Sequence, residues 1–221
     1  MIPILYRDDD CVAVMKPVGV ASVPERLEDD DCLCAHLSRQ LGQRVFPVHR
    51  LDKEVSGVIL YALTAPAHRL LNSAFERREV LKTYLAVTHG APAEDTGEIN
   101  GPIHAFGSGR MGVDARRGKP SLTRFAVRQR GERFARVEAF PLTGRRHQIR
   151  VHLYSIGHPI AGDPRYGDPA LRCGAHPRLM LTATGLALAL PCGIRLDLRD
   201  NVPDDFREAA RDVYGLPAIV S

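Results

Sequence analysis

Residues 46 to 60 read Phe46-Pro-Val-His-Arg-Leu-Asp-Lys-Glu-Val-Ser-Gly-Val-Ile-Leu60. The apolar residues at its two ends are typical of short β-strands, and four polar side chains fall where the first strand ends: His49, Arg50, Asp52 and Ser56. Polar groups between the ends of two strands indicate a functional site. A purely structural interpretation stays open, in which Asp52 caps a turn and Arg50 is an ordinary surface charge.

Further strands and helices are predicted on both sides of this stretch. The periodicity predicts strands over residues 4–6, 11–15, 45–48, 58–63, 83–88, 121–130, 133–142, 179–190 and 194–198. It predicts helices over about 32–41, after Pro66, over about 145–156 and over about 204–213, with Asp30 or Asp31 as the cap of the first and Gly42 and Gly157 as stops. Many strands with few helices indicate an α+β fold with a mixed, mainly antiparallel sheet flanked by helices. No repeat or linker divides the chain.

Length and composition exclude several classes of protein. The 221 residues are 44% hydrophobic and 25% charged, which is typical of a globular protein and excludes fibrous or disordered chains. The longest uncharged stretch, residues 179–194, is too short for a membrane span of ~20 apolar residues, and no signal peptide precedes Asp8. We therefore expect a cytoplasmic protein without membrane contact. The odd, sparse cysteines fit reduced thiols better than disulfides: Cys11, Cys32, Cys34, Cys173 and Cys192.

Positive charge is concentrated in one part of the chain. Residues 110–152 contain 12 Lys and Arg against three acidic residues, a net charge of +9, whereas the whole chain carries +4. A polyanionic partner would explain this concentration. The alternative is a solvated strand face, because several arginines between Arg124 and Arg136 recur at the even spacings of exposed strand positions.

The sequence around two apparent cofactor motifs, a dinucleotide-binding loop and a zinc site, does not support either of them. Gly107-Ser-Gly-Arg-Met-Gly112 has the letters of a dinucleotide-binding loop, but no helix pattern follows it. His147 and His152 are five residues apart, so they do not share a helix face as zinc-binding pairs do, and Cys32 and Cys34 lack a second pair at zinc-site spacing. We expect neither a metal nor another cofactor.

Four segments of the chain resemble the motifs of the RluA-type RNA pseudouridine synthases. His49-Arg-Leu-Asp52 with Ser56-Gly57 is similar to the family signature, and Lys16-Pro17 with Gly19 is similar to its first motif. Lys82-x-Tyr84 resembles the tyrosine strand, and residues 143–153 with 157–163 resemble the third motif. The resemblance covers about residues 4–200 and implies one catalytic domain over residues 1–221, without a separate N-terminal RNA-binding domain.

The resemblance also implies the reaction and the residues that perform it. Members of the family turn a uridine of RNA into pseudouridine without a cofactor, which makes the protein an isomerase. Asp52 is expected to act at the sugar carbon, Arg150 to pair with Asp52, and Tyr84 to stack on the uracil and take part in the C5 proton transfer.

Because a stacked base must be flipped out of the RNA, Arg50 is expected to fill the vacated space. Phosphate contacts are expected from Arg116, Arg117, Lys119, Arg145, Arg146 and His147. We expect a monomer whose partner is tRNA or rRNA with the uridine in a loop or stem-loop.

Two positions depart from the family pattern. Val55 stands where the family usually has Thr, and Thr182 stands where it more often has His. These departures keep a second hypothesis open, a noncatalytic RNA-binding relative of the same fold. A glycoside hydrolase is a poorer interpretation, because no second acidic motif accompanies Asp52.

Overall fold

The computed structural model describes residues 1–24, 31–107, 109–167 and 178–217. Along the chain these ranges form β1 (Ile4–Arg7), β2 (Cys11–Lys16), α1 (Leu33–Leu41), β3 (Phe46–Pro47), β4 (Ser56–Ala62), α2 (Ala65–Glu76), β5 (Leu81–His89), β6 (Thr96–Asn100), β7 (Ile103–Ala105), β8 (Met111–Val113), β9 (Leu122–Arg130), β10 (Phe134–Pro141), α3 (Gln148–Ser155), β11 (Leu181–Ala189), β12 (Arg195–Leu198) and α4 (Asp204–Asp212). The chain packs as two compact units, the first containing Met1–Lys82 and Ala183–Asn201 and the second Thr83–Thr182 and Val202–Ser221.

The first unit is built on the antiparallel pairs of β1 with β2 and of β2 with β4. The turn between β1 and β2 forms because the Asp8 carboxylate accepts hydrogen bonds from the backbone N–H groups of Asp10 and Cys11. The register of β2 with β4 runs from Cys11 opposite Ala62 to Lys16 opposite Gly57. Strand β3 also pairs with β4, and β12 pairs with β11. The predicted first hairpin is therefore confirmed.

In the second unit, strands β5, β10, β9 and β6 are neighbours in that order, all antiparallel. The hairpin of β9 and β10 turns at Gly131, whose N–H donates to the carbonyl of Phe134, as the alternating pattern predicted. Strands β7 and β8 form a separate antiparallel pair. The N–H of Gly109 donates to the carbonyl of Phe106, and Gly112 belongs to β8, so the described residues of the glycine segment lie in this hairpin and not before a helix. The mainly antiparallel α+β class is confirmed.

Two predicted helix starts need correction. Helix α1 begins at Leu33 and is capped by Cys32, whose sulfur accepts a hydrogen bond from the N–H of Ala35. Asp31 is therefore not the cap and instead contacts His36, while Asp30 lies outside the described residues. Helix α3 begins at Gln148 and not at residue 145, because His147 has a φ of 55° and interrupts the helical backbone.

The other helix signals act as expected. Gly42 ends α1 in the left-handed conformation, with a φ of 67°. Thr64 caps α2 by accepting a hydrogen bond from the N–H of Ala67, and Pro66 lies in the first turn. Through Ala67 and Leu71, α2 packs against the side chains of β4 in the core of the first unit.

A core of small and branched apolar side chains supports the strand ends that carry the predicted site. In the first unit it includes Val48, Val58 and Leu60, which flank residues 49–57 on both sides along the chain. In the second unit, Ile103, Val151 and Tyr166 form a smaller cluster that joins β7 to α3. Among the described residues, no helix has the length and apolarity needed to cross a membrane.

Candidate active site

Asp52 lies half-buried in the turn that connects β3 with β4. Its carbonyl oxygen accepts a hydrogen bond from the N–H of Val55 at 3.0 Å, which closes the turn. The preceding residue, Leu51, is fixed on both sides by Ser22, whose hydroxyl donates to the Leu51 carbonyl at 2.8 Å and accepts from its N–H at 3.0 Å. The buried hydroxyl of Tyr61 donates in turn to the Ser22 carbonyl. These bonds leave the backbone beside Asp52 little freedom.

Lys16 holds the same turn from another direction. Its side chain is fully buried, and the ammonium group donates to the carbonyl oxygens of Pro17, Val20 and Lys53 at 2.9, 2.6 and 3.1 Å. The N–H of Gly19 also donates to the Lys53 carbonyl. Charge-assisted hydrogen bonds are stronger than neutral ones, so the Lys16-Pro17-x-Gly19 motif ties its own loop to the residue after Asp52.

Gly57 is required by its surroundings. Its φ of 115° is unfavourable for any residue with a Cβ, and a Cβ built there would lie 2.1 Å from the carbonyl oxygen of Ala183. No side chain fits at that distance. The Ser56-Gly57 part of the signature therefore lets β4 approach β11 within the first unit.

His49 has a structural position in the signature. Its Nε2 accepts a hydrogen bond from the backbone N–H of Leu60, with 2.9 Å between the two nitrogens, and its ring stacks on Phe75 at a centroid distance of 4.6 Å. Burial, with a smaller contribution from the Lys82 charge, lowers the pKa of His49 to about 3. The ring is therefore neutral at physiological pH and connects the segment before Asp52 to β4.

In the second unit, Arg150 forms a buried ion pair with Asp163. Its Nε and Nη2 donate to the two carboxylate oxygens at 2.7 and 2.9 Å, and the two side chains are 1% and 0% exposed. One of these oxygens also accepts from the N–H groups of Arg165 and Tyr166. The pair fixes the guanidinium of Arg150 in one orientation. The expected pairing of Arg150 with Asp52 stays a prediction, since the two residues belong to different units.

Tyr166 links this ion pair to the turn before α3. The Arg150 guanidinium lies 5.2 Å from the centre of the Tyr166 ring, and the Tyr166 hydroxyl lies 2.7 Å from Nδ1 of His147 while accepting from the N–H of Met111. Burial raises the pKa of Tyr166, which keeps the hydroxyl protonated. His147 is only 7% exposed, so its predicted phosphate contact would use little of the ring.

Buried polar side chains of the third motif attach α3 to β9. Gln148 donates to the carbonyl of Leu122 and to the hydroxyl of Thr123, and its carbonyl oxygen accepts from Thr143 and from the Arg145 N–H. His152 places Nε2 2.9 Å from the carbonyl of Gly101, so this nitrogen carries the proton and Nδ1 accepts from Thr123. Gln148 and His152 thus have structural roles.

Tyr84 lies in β5 opposite Ala139 of β10 and is half-buried. Its stacking and proton-transfer roles stay predictions.

The basic residues divide into two groups. On β9, Arg124, Arg128 and Arg130 form ion pairs with Glu98, Glu138 and Asp95, which supports the strand-face interpretation for these three. By contrast, the loop residues predicted to contact RNA are mostly exposed: Arg50, Arg116, Arg117, Lys119 and Arg146, with Arg145 half-buried. Among these loop residues Arg117 also forms an ion pair, with Asp114, so the described loops contain both paired and exposed basic residues.

Sequence reasoning missed several residues that support the predicted site. Asp163 lies in the third-motif segment, but the sequence analysis assigned it no role. An acidic residue that follows the helix of Arg150 was the signal that could have identified it as the partner of that arginine. No local pattern marks Ser22 or Tyr61, because their contacts join residues that are distant in sequence. Within the described ranges, no group of three or more His, Cys, Asp and Glu side chains could hold a metal, and Cys173 lies outside those ranges.

Comparison with known proteins gives a consistent result. The family model described as RNA pseudouridylate synthase matches residues 10–155. The dual-specificity RNA pseudouridine synthase RluA of Escherichia coli (strain K12) is 41% identical over 192 residues, 85% of this chain and 87% of that protein, and the protein of that name from Salmonella typhi is 39% identical over 208 residues, 92% and 93%. Among solved structures, human RNA pseudouridylate synthase domain containing 1 has a TM-score of 0.80 at 30% identity, covering 95% of this chain and 86% of that one.

Proposed function

The chain belongs to the RNA pseudouridylate synthase family, and from this membership we propose that it isomerises a uridine of tRNA, of large-subunit rRNA, or of both, with Asp52 as the catalytic carboxylate. It is an RNA pseudouridine synthase, an isomerase. The choice of RNA, the catalytic residues and the RNA contacts form the proposal.

The reaction is a rearrangement within one nucleotide. The bond from N1 of uracil to C1′ of ribose breaks, the base rotates, and a bond from C5 to the same C1′ forms. C5 loses its proton and N1 gains one, so atoms and electrons balance without an added oxidant, reductant or metal. Positive charge develops on the sugar as the first bond breaks, and a carboxylate beside C1′ stabilises or attacks that carbon.

The construction of the Asp52 turn is the observation that carries the assignment. Ser22 and Lys16 form hydrogen bonds with the residues immediately before and after Asp52. Shortly after the turn, only glycine fits at position 57, because the backbone of Ala183 lies too close for a side chain. A rigid support of this kind suits a reacting group, because catalysis requires the carboxylate to be held in place before substrate arrives. We propose that Arg150, itself fixed by Asp163, stabilises the negative charge of Asp52, and that Tyr84 stacks on the flipped uracil and takes part in proton transfer at C5.

RNA recognition is proposed to rest on charge. Arg50 is exposed two residues before Asp52, which suits a side chain that replaces the flipped base. Arg116, Arg117, Lys119, Arg145 and Arg146 contact phosphates in this proposal, and the buried His147 contributes less to phosphate binding than these residues do. The target uridine lies in a loop or stem-loop, because an unpaired base is flipped at lower cost.

The names of the bacterial relatives support more than one kind of RNA substrate, since those proteins are called dual-specificity RNA pseudouridine synthases. We propose that the substrate of this chain is tRNA, large-subunit rRNA or both. Its action as a monomer, as a single catalytic domain and in the cytoplasm is part of the same proposal.

The decisive experiment maps pseudouridine in RNA from cells with and without this protein, and then repeats the conversion with purified protein and the mapped RNA in the presence of a chelator. We expect one or a few sites to depend on the protein, with unchanged nucleotide mass and no released uracil. Released uracil would indicate a glycosidase. RNA binding without any conversion would favour the noncatalytic relative and refute the proposal.

A further inference from the structure

The hairpin of β7 and β8 presents an aromatic ring to solvent. Phe106 is 39% exposed and lies where the hairpin turns, with its N–H donating to the carbonyl of Arg110. The ring packs edge-on against His104 at a centroid distance of 5.2 Å. A Cβ at Gly112 would lie 2.8 Å from the ring, so the absence of a side chain there leaves room for Phe106. The ring is therefore held in place while remaining accessible.

Arg117 lies over this ring, with its guanidinium carbon 5.6 Å from the centroid. Asp114 fixes that position, because its carboxylate accepts from Nε of Arg117 at 2.8 Å and from the N–H groups of Arg116 and Arg117. These hydrogen bonds lower the pKa of Asp114 to about 2, which keeps the carboxylate charged. We name Phe106 and Arg117 together the Phe106 platform.

The loop that carries Arg117 is tied to the hairpin. The N–H and C=O groups of Lys119 bond to those of Ile103 at 2.9 and 3.0 Å. Gly118 makes this approach possible, because a Cβ there would lie 2.5 Å from the backbone of Asp114 and Pro102. The platform is thus preorganised, which lowers the entropic cost of binding.

The same unit contains a second exposed aromatic ring next to an arginine. Tyr154 of α3 is 44% exposed, and Arg110 lies 5.6 Å from its centroid and 5.5 Å from that of Tyr166. Tyr166 is joined to β8 through the N–H of Met111. Two arginine–aromatic pairs therefore lie along one hairpin and the helix beside it.

We propose that the Phe106 platform binds an unpaired nucleobase of the substrate RNA by stacking. Aromatic rings and guanidinium planes are the groups on which proteins stack unpaired bases, and every base has a face that can stack. The surrounding side chains suit a polyanion, because Arg110, Arg116, Arg117 and Lys119 are exposed and Asp114 is the acid among residues 110–119. This inference rests on the proposed function. It adds a contact that distinguishes unpaired bases from paired ones, whereas the phosphate contacts depend on charge alone.

The experiment measures RNA affinity by fluorescence anisotropy at several salt concentrations. The probes are a labelled stem-loop RNA with a uridine-containing loop and a fully paired RNA duplex of similar length. The variants are Phe106→Ala and Phe106→Leu, with Val113→Ala as a matched control, because Val113 is an exposed apolar residue of the same hairpin. Circular dichroism and thermal unfolding establish that each variant is folded.

We expect Phe106→Ala to weaken stem-loop binding by about 5- to 150-fold, the range for loss of one base–aromatic stack, and to leave duplex binding unchanged. Phe106→Leu keeps apolar area but not the π face, so it should lose most of the same affinity, whereas Val113→Ala should bind as the wild type does. The slope of log affinity against log salt should not change, since no charge is removed.

Stem-loop binding by folded Phe106→Leu and Phe106→Ala proteins at wild-type strength would overturn the proposal. Equal losses on stem-loop and duplex, or a shallower salt slope, would also overturn it, because they would indicate a backbone contact. Pseudouridine formation by the wild type, measured in parallel, separates the two proposals: absence of product refutes the assigned reaction, and Phe106-dependent binding still supports the platform.

Discussion

The His49 ring should make the protein sensitive to acid. In the folded state Nε2 accepts a hydrogen bond from the N–H of Leu60, and a protonated imidazole cannot accept it. Burial and the Lys82 charge lower the pKa of His49 from 6.5 to about 3. Below pH 6.5 the unfolded chain therefore binds a proton that the folded protein does not. The stabilisation is fully present above pH 6.5 and is lost as the pH falls toward the folded-state pKa.

The size of the effect follows from the shift. Each pH unit between the two pKa values lowers the free energy of unfolding by about 1.4 kcal/mol, so lowering the pH from 7 to 4 should cost ~3 kcal/mol from His49 alone. Many domains have a total stability of only about 5–15 kcal/mol, so this single group should shift the unfolding transition measurably.

The assay is urea unfolding at pH 7 and pH 4 for the wild type and for His49→Gln. The glutamine oxygen can accept from the Leu60 N–H but does not titrate, and carboxylates elsewhere titrate alike in both proteins. We expect the wild type to lose about 3 kcal/mol more than the variant over this interval. Parallel losses in the two proteins would show that His49 is not held neutral by the fold, and the reasoning would fail.

The remaining predictions concern charge. Asp52→Asn should abolish pseudouridine formation in a single-turnover assay while leaving RNA affinity within a few-fold, because affinity comes mainly from phosphates; a normal rate would remove Asp52 from the mechanism. Asp163→Ala should lower the free energy of unfolding by ~3–5 kcal/mol, since the charge of Arg150 stays buried without this carboxylate, and an unchanged urea midpoint would contradict that. Replacing Arg116 and Arg117 by Glu should weaken binding of all RNAs alike and make the salt slope shallower by ~0.7 for each phosphate that the protein no longer neutralises, whereas an unchanged slope would exclude both residues from phosphate binding.

Signals that act over a few residues were readable from the sequence. The alternation on both sides of Gly131 gave the β9–β10 hairpin, and Gly42 marked the end of α1. The start of α3 was not readable, because nothing in Arg145-Arg-His147 marks a helix boundary, while the left-handed backbone of His147 interrupts the helix. In the structure His147 contacts Tyr166 and Gln148 contacts Thr123, and no local pattern shows these long-range contacts.

The residues of the candidate site likewise include some that a local motif indicates and others that only the structure identifies. The position of Asp52 in a turn between two strands was readable from its motif, and its catalytic role stays a prediction. Ser22 and Asp163 were not readable, because their importance comes from hydrogen bonds to residues 29 and 13 positions away in the sequence. The concentration of basic residues predicted an interaction with a polyanion, but the ion pairs of the three β9 arginines and of Arg117 with Asp114 show that several of these charges are balanced by neighbouring acids.

Val55 and Thr182, the two residues that differ from the family pattern, both lie in the interior of the protein. Val55 is 2% exposed and Thr182 is fully buried, so both occupy packed positions and do not face solvent. The hydrogen bond that closes the Asp52 turn is made by the backbone N–H of Val55, which a threonine would supply equally well. Replacing that hydroxyl by a methyl group therefore keeps the turn and removes the need to satisfy one buried polar group. A valine at this position is compatible with a rigid Asp52 turn, and it gives no reason to expect an inactive protein.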